Sequence, residues 1–244
     1  DDSGNAPINQ TADKRRQIDW DAAPDSVSDP NAFPGDFFNF PAAPRARGIE
    51  FSETGNTTGF LLSGTAAAEA GGGAPINFGM SSDFQPFSPE RLFTPIGGTT
   101  FDILFFDPVD AATPATSRGL GLVFVDVEEP DVTTVTYFDQ DDNVLASLAA
   151  EVAGNAGFSF VGVLFDDPTV FRVSVNAGDA AILGNGSVGQ GTDAVVVDDV
   201  IFGEPVPAAN AVPAPAGGIL LLSGLIAFFG TARLRRCRTE RRSG

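Results

Sequence analysis

The residues of this chain that could do chemistry are almost all carboxylates: 32 acidic residues stand against 14 basic ones and no histidine. The sharpest cluster is Asp139-Gln140-Asp141-Asp142-Asn143, which opens like an EF-hand calcium loop, with oxygen-bearing side chains at alternate positions. It then departs from that pattern, because Val144 stands where the loop needs Gly and Ala150 where it needs a bidentate Glu. These residues read instead as a hairpin turn, since Asp and Asn bond their own backbone and tolerate left-handed geometry. A second pair, Asp198-Asp199, falls on a predicted strand, where side-chain alternation lets only one of the two face inward.

Absences narrow the chemistry further. Without His, a Ser-His-Asp triad, a Cys-His pair and a His-ligated zinc or iron site are all excluded. The single Lys, Lys14, lies in a polar N-terminal segment and argues against a Ser-Lys dyad; the single Cys, Cys237, lies near the C-terminus. Gly184-Asn185-Gly186 and Gly189-Gln190-Gly191 do not follow a strand and open a helix, so they form no nucleotide-binding fingerprint. Two uses of carboxylates remain, a hard-cation site and the paired acids of a glycosidase. Set aside the six arginines and Glu240 of residues 213–244, and 8 basic and 31 acidic residues are left, a net of −23 on residues 1–212. Among 31 acids some pair falls at catalytic spacing by chance, so no catalytic residue is assigned and the reading is non-enzymatic. The same charge repels nucleic acid and anionic headgroups, so nucleic acid is excluded as a partner.

The elements that must position these groups are strands. Candidates fall at 48–52, 59–63, 100–106, 119–127, 132–138, 144–149, 157–165, 170–176 and 194–202, with a short one at 92–93. Phe171, Val173 and Val175 alternate with Arg172 and Ser174, and Thr134 and Thr136 with Val135 and Tyr137. Asp141-Asp142-Asn143, Asp166-Asp167-Pro168 and the Gly-rich stretch 184–191 punctuate the runs as turns, and 66–74 reads as a loop insertion. The pattern predicts an all-β, antiparallel, jelly-roll-like sandwich over residues 20–205. Residues 1–19, polar and without apolar periodicity, read as a flexible lead-in, and residues 206–216 as a Pro/Ala linker.

The C-terminal segment has its own logic. Val212, Pro213, Ala214 and Pro215 precede an uncharged helical stretch, 217–232, and then Arg233, Arg235, Arg236, Arg238, Arg241 and Arg242. Sixteen residues at about 1.5 Å each reach about 24 Å, marginal against about 30 Å of bilayer hydrocarbon. The linker before it and the arginines after it argue for a transmembrane helix, with 233–244 a basic cytoplasmic tail and residues 1–212 on the far side. Export in this sense calls for a leader ahead of Asp1. Motif, helix and basic stop together resemble the PEP-CTERM class of bacterial sorting signals, in a variant with Ala214 where the commonest form has Glu. The resemblance implies an exosortase-like transpeptidase as a transient partner, and release or re-anchoring at the cell surface or outside the cell.

The body also resembles a secreted bacterial sandwich domain that often precedes such tails. The likeness rests on the segments Phe158-Ser159-Phe160-Val161-Gly162-Val163, Val170-Phe171-Arg172-Val173-Ser174-Val175 and Val197-Asp198-Asp199-Val200-Ile201-Phe202-Gly203-Glu204-Pro205, with Arg91-Leu92-Phe93 and the hairpin from Tyr137 to Asn143. It implies a structural or adhesive role in an exopolysaccharide-associated envelope or biofilm. In jelly-roll carbohydrate-binding modules an acid on the last strand often joins N-terminal loop oxygens around a structural calcium. By that likeness Asp198 or Asp199 with Asp21 or Glu53 is the candidate calcium set, and a calcium-dependent lectin-like module is the alternative function. A lectin would expose polar groups near Trp20 or Tyr137; yet 22 of 24 aromatics are Phe, which favours core over sugar platform. A carboxylate-based glycoside hydrolase is the third class.

Overall fold

Period-two alternation builds the inner wall of the molecule. In Thr100–Phe105 the buried residues are Phe101, Ile103 and Phe105, and in Arg172–Asn176 they are Val173 and Val175. Such strands bury one face and leave the other partly wet. The structure, a computed structural model, describes residues 4, 6–8, 10–64, 78, 83–88 and 90–208, all inside the compact unit Asp1–Ala208. The predicted sorting motif Val212 to Pro215, the helix 217–232 and the arginines from Arg233 onward lie outside the described residues. Among those described, no helix is long and apolar enough to cross a membrane.

Thirteen strands are present among the described residues: β1 (Arg15–Ile18), β2 (Ile49–Glu53), β3 (Gly59–Leu62), β4 (Phe93–Ile96), β5 (Thr100–Phe105), β6 (Ala115–Thr116), β7 (Gly119–Val125), β8 (Thr134–Phe138), β9 (Val144–Ala149), β10 (Phe158–Leu164), β11 (Arg172–Asn176), β12 (Val196–Gly203) and β13 (Val206–Pro207). They form two antiparallel sheets, ordered β10-β7-β12-β4-β3 and β2-β5-β11-β8-β9, with β1 joining the first sheet along β12 and β6 and β13 making a small ribbon. The inward faces of both sheets share one hydrophobic core, which makes the fold a β-sandwich. Its hub is an aromatic cluster: Trp20 stacks on Phe93 at 4.6 Å, and Phe51, Phe60 and Phe101 pack around the same ring. Rings at such distances and angles add to their area burial.

Two departures from the sequence reading matter for function. Residues 15–18, expected in a flexible lead-in, form β1 in register with Val200 to Gly203. What hid this strand is its polarity. Arg16 is fully buried and forks onto Glu204, Nε to Oε2 and NH2 to Oε1 both at 2.8 Å, so a charge counts as core once it is paired. Likewise Val206 and Pro207, read as linker, pair with Ala115 and Thr116.

The outer face of the first sheet is divided. Toward β3 and β4 it is covered by a second apolar cluster in which Phe78, Phe84, Leu92 and Ile182 pack over Leu61, Val125 and Val196. At its other end, over Gly119, Gly121, Gly162 and Gly203, it is open.

Candidate functional site

The acidic pair Asp198-Asp199 sits on the border between the two halves. Val197 is in register with Phe124 and Val200 with Leu122, so two residues of β12 oppose the single Val123 of β7. This is a β-bulge, and it overturns the alternation argument by which only one of the two could face a given side. Both carboxylates reach the same hydroxyl: Ser88 Oγ lies 3.1 Å from Asp198 Oδ1 and 2.8 Å from Asp199 Oδ1. Asp198 also accepts from the Phe87 amide at 2.6 Å, and its own carbonyl accepts from the Trp20 indole. Asp21 accepts from the amides of Glu90 and Arg91, at 2.6 and 3.2 Å. Three of the four predicted calcium ligands are thus gathered, and they clasp the chain around residues 87–91 by its own N–H groups. Glu53 stands apart, exposed on β2 of the other sheet opposite Phe101. Among the described residues no group of three or more carboxylates converges to hold a metal.

Burial pushes the Asp198 carboxyl up to about 7, with the Asp199 charge adding to the effect. A protonated Asp198 can donate, which satisfies a hydroxyl caught between two acids that has only one hydrogen to give. Burial likewise lifts Asp126 to about 6 in a recess of about 260 Å³ that it shares with Asp83 and Glu128. One Asp126 oxygen is taken by the Ala156 amide at 2.7 Å. Asp193 beside it accepts from the Glu128 and Glu129 amides, both at 3.2 Å. Asp139 accepts from the amides of Asp141 and Asn143 at 2.9 Å, so the run that opens like a calcium loop is the turn between β8 and β9.

Neither aromatic that a lectin would have displayed is at the surface. Trp20 and Tyr137 are both fully buried, Trp20 against Phe93 and Tyr137 with its hydroxyl bonded to the Leu120 carbonyl at 2.9 Å. Their polar tips are spent on backbone acceptors, as a buried indole or phenol requires.

Four phenylalanines are exposed among the described residues, Phe40, Phe87, Phe158 and Phe160, and the most exposed is Phe160, at 62% on the edge strand β10. Gly121 and Gly162 are register partners across β7 and β10. A Cβ at either would approach the Phe160 Cζ to 2.6 or 2.8 Å, so the far edge of the ring lies against the two glycines. The sheet supports that edge while the side chain stays exposed. Around it the bare end of the sheet forms a groove of about 380 Å³, with Lys14, Arg15 and Arg118 among its walls and Asp13 as its one acid. Arg118 is anchored by Nε to the Phe165 carbonyl at 3.0 Å, and Arg15 reaches Gln17 Oε1 at 3.1 Å. The Arg16–Glu204 pair holds this N-terminal wall in place, helped by the Glu204 amide on the Lys14 carbonyl at 2.9 Å. Sequence reasoning passed over Phe160 because β10 is apolar on both faces: Phe158, Phe160 and Leu164 alternate with Val161 and Val163. The outward glycine Gly162, beside an outward Phe, was the available signal.

No family model matches the chain, and no curated protein matches it. Among solved structures it is similar to the enzymatically active domain of tailspike protein 4 of bacteriophage CBA120, at 13% identity over 70% of this chain, with a TM-score of 0.32. The chain spans 20% of that tailspike chain. It is also similar to a mutant lectin-binding domain of Lectinolysin complexed with Lewis b, at 12% identity over 62% of this chain and 97% of that one, with a TM-score of 0.26.

Proposed function

We propose that this protein is an adhesive or structural component of an exported, exopolysaccharide-associated envelope or matrix, and that its sandwich holds an extended glycan in the groove beside Phe160. The observation that carries the binding role is the Phe160 ring set with its far edge against Gly121 and Gly162 while the side chain stays 62% exposed. An isolated exposed Phe is common, whereas a ring seated on glycines inside a groove offers a flat apolar platform with polar groups at its margins. A pyranose ring suits it, placing its C–H face on the aromatic and its hydroxyls toward solvent and the groove walls.

The envelope location rests on the sequence resemblance of residues 212–238 to a sorting signal, with an exosortase-like transpeptidase and a C-terminal membrane helix as its means. The jelly-roll reading of the sandwich is supported by strand order. β4, β12, β7 and β10 lie in one sheet and β5, β11, β8 and β9 in the other, so from β4 to β12 these strands alternate between sheets except at the β8–β9 hairpin. Calcium enters as a secondary element only, because the carboxylates expected to bind it are engaged with amides and with Ser88.

The test is glycan-array binding by the full chain and by its Phe160→Ala variant. Saturable binding that Phe160→Ala removes without lowering the melting temperature is the expected result; binding that survives the change would sink the groove reading. For location, an intact mass from the native host ending near residues 212–215, outside the cell, is expected. Full-length protein kept in the inner membrane would overturn the sorting reading.

A further inference from the structure

The eight cations of residues 1–212 divide into two groups. Five lie outside the walls of the Phe160 groove: Arg16, paired with Glu204; Arg91, with Asp25; Arg172, with Asp102 and Asp142; Arg45, over the rings of Phe37 and Phe40; and Arg47, over Phe38. The other three, Lys14, Arg15 and Arg118, line the Phe160 groove. Among the described residues neither Arg15 nor Arg118 makes an ion pair; each holds one neutral oxygen, leaving further guanidinium donors for a ligand. The groove thus gathers three cations against Asp13, while elsewhere in residues 1–212 five cations face thirty acids.

From this charge pattern we infer that the groove selects an anionic glycan: a mainly neutral hexopyranose chain that carries uronic-acid carboxylates at intervals. The inference rests on the glycan reading above and adds the charge of the ligand to it. Guanidinium forks match carboxylates in geometry and charge, and bonds of this kind are stronger than neutral ones. Sparse charge is required because the acidic remainder of the molecule repels a dense polyanion, whereas at physiological salt that repulsion is screened beyond about 8 Å. The same sequence-level argument that excludes nucleic acid therefore leaves room for occasional carboxylates docked at contact distance.

A peptide is the poorer occupant. Across the middle of the floor the main chain is spent, since β7 pairs with β10 on one side and β12 on the other, and β12 pairs with β1; only the outer edge of β10 is left unpaired. An extended peptide laid over β7 and β12 would find no backbone partners for its own amides there. A pyranose has no such obligation and buries a C–H face on Phe160.

The experiment is calorimetric titration of the full chain with two matched probes: a β-1,4-linked hexose oligosaccharide carrying one glucuronate, and its carboxyl-reduced twin. The acidic probe is expected to bind about tenfold tighter or more, the gap closing in Arg118→Gln and in Arg15→Gln and largely returning in Arg118→Lys. Equal binding of both probes, lost in Phe160→Ala, would overturn the charge selection and leave the glycan groove standing. Binding of neither probe would overturn both readings, and binding of an acidic peptide in their place would assign the groove to a protein partner.

Discussion

The two ends of one sheet face meet water differently. At the β3–β4 end, Phe78 and Phe84 fold over Leu61, Val125 and Val196, and the outer face becomes a second core. At the other end Gly119, Gly121, Gly162 and Gly203 take outward positions of β7, β10 and β12 beside Ile201 and Leu164, and Phe160 stays exposed. Between them lies the bulge at Asp198-Asp199, which binds the chain that carries Phe87 toward Phe158, their rings 5.4 Å apart. The lesson is about cost. A covered face stabilises the fold by about 1.5–3 kcal/mol for each large side chain buried. A face left bare forgoes that, so an aromatic seated on glycines at such a place points to a ligand rather than to the fold.

Breaking the common core should have the largest effect. Phe93→Ala, at the hub beneath both ends, is expected to cost about 3–5 kcal/mol in urea unfolding. Glu204→Gln leaves the buried Arg16 with a neutral partner and should cost about 3 kcal/mol or more, loosening the groove wall while the capped end keeps its packing; amide hydrogen exchange at β1 against β4 would separate the two. Phe84→Ala should cost about 3 kcal/mol without altering glycan binding, and a loss of binding would mean that the two ends are coupled. Gly121→Val, by contrast, should abolish binding by displacing the Phe160 ring, at a cost of about 1–3 kcal/mol in stability.

The border offers a subtler test. The carboxyls of Asp198 and Asp126 are raised to about 7 and about 6 in the folded protein, above their unfolded values, so folding favours their neutral forms. Their contribution to stability is full below about pH 4 and is lost as pH rises through those two values. Asp139 and Asp179 run the other way: their carboxyls are held low, by Asn143 and by the Thr192 amide, and that contribution is lost as pH falls. Melting temperature should therefore peak near about pH 4 and decline toward pH 8, more steeply in the native protein than in Asp198→Asn. An unchanged slope in that variant would remove Asp198 as the cause. The smallest effect belongs to Phe160→Ala, whose stability change should stay within about 0.5 kcal/mol.

The strands were largely readable because alternation is local. Expected 144–149 coincides with Val144–Ala149, and most other boundaries moved by one or two residues. The turn at Asp139 was readable for the same reason, its hydrogen bonds being to neighbours in the chain. The site was less so. Asp198, Asp199 and Asp21 were singled out as candidate calcium ligands; the amides that Asp198 and Asp21 accept from, at Phe87 and Glu90, lie 111 and 69 residues away in the chain. Arg16 fell within the expected flexible lead-in, since nothing nearby announces Glu204 across 188 residues.

What the sequence determined by itself is what depends on composition and short range: an all-β chain, the exclusion of His-dependent chemistry, a strongly acidic composition, and aromatics chosen to fill a core. What only the tertiary structure decided is which apolar face remained uncovered. Phe93 and Phe160 are the same residue type on comparable strands, yet one is buried against five aromatic rings and the other lies on two glycines in open water. Burial is a property of what packs on top, and for β10 that is settled by segments distant in sequence, which cover one end of the sheet and stop at a two-residue bulge.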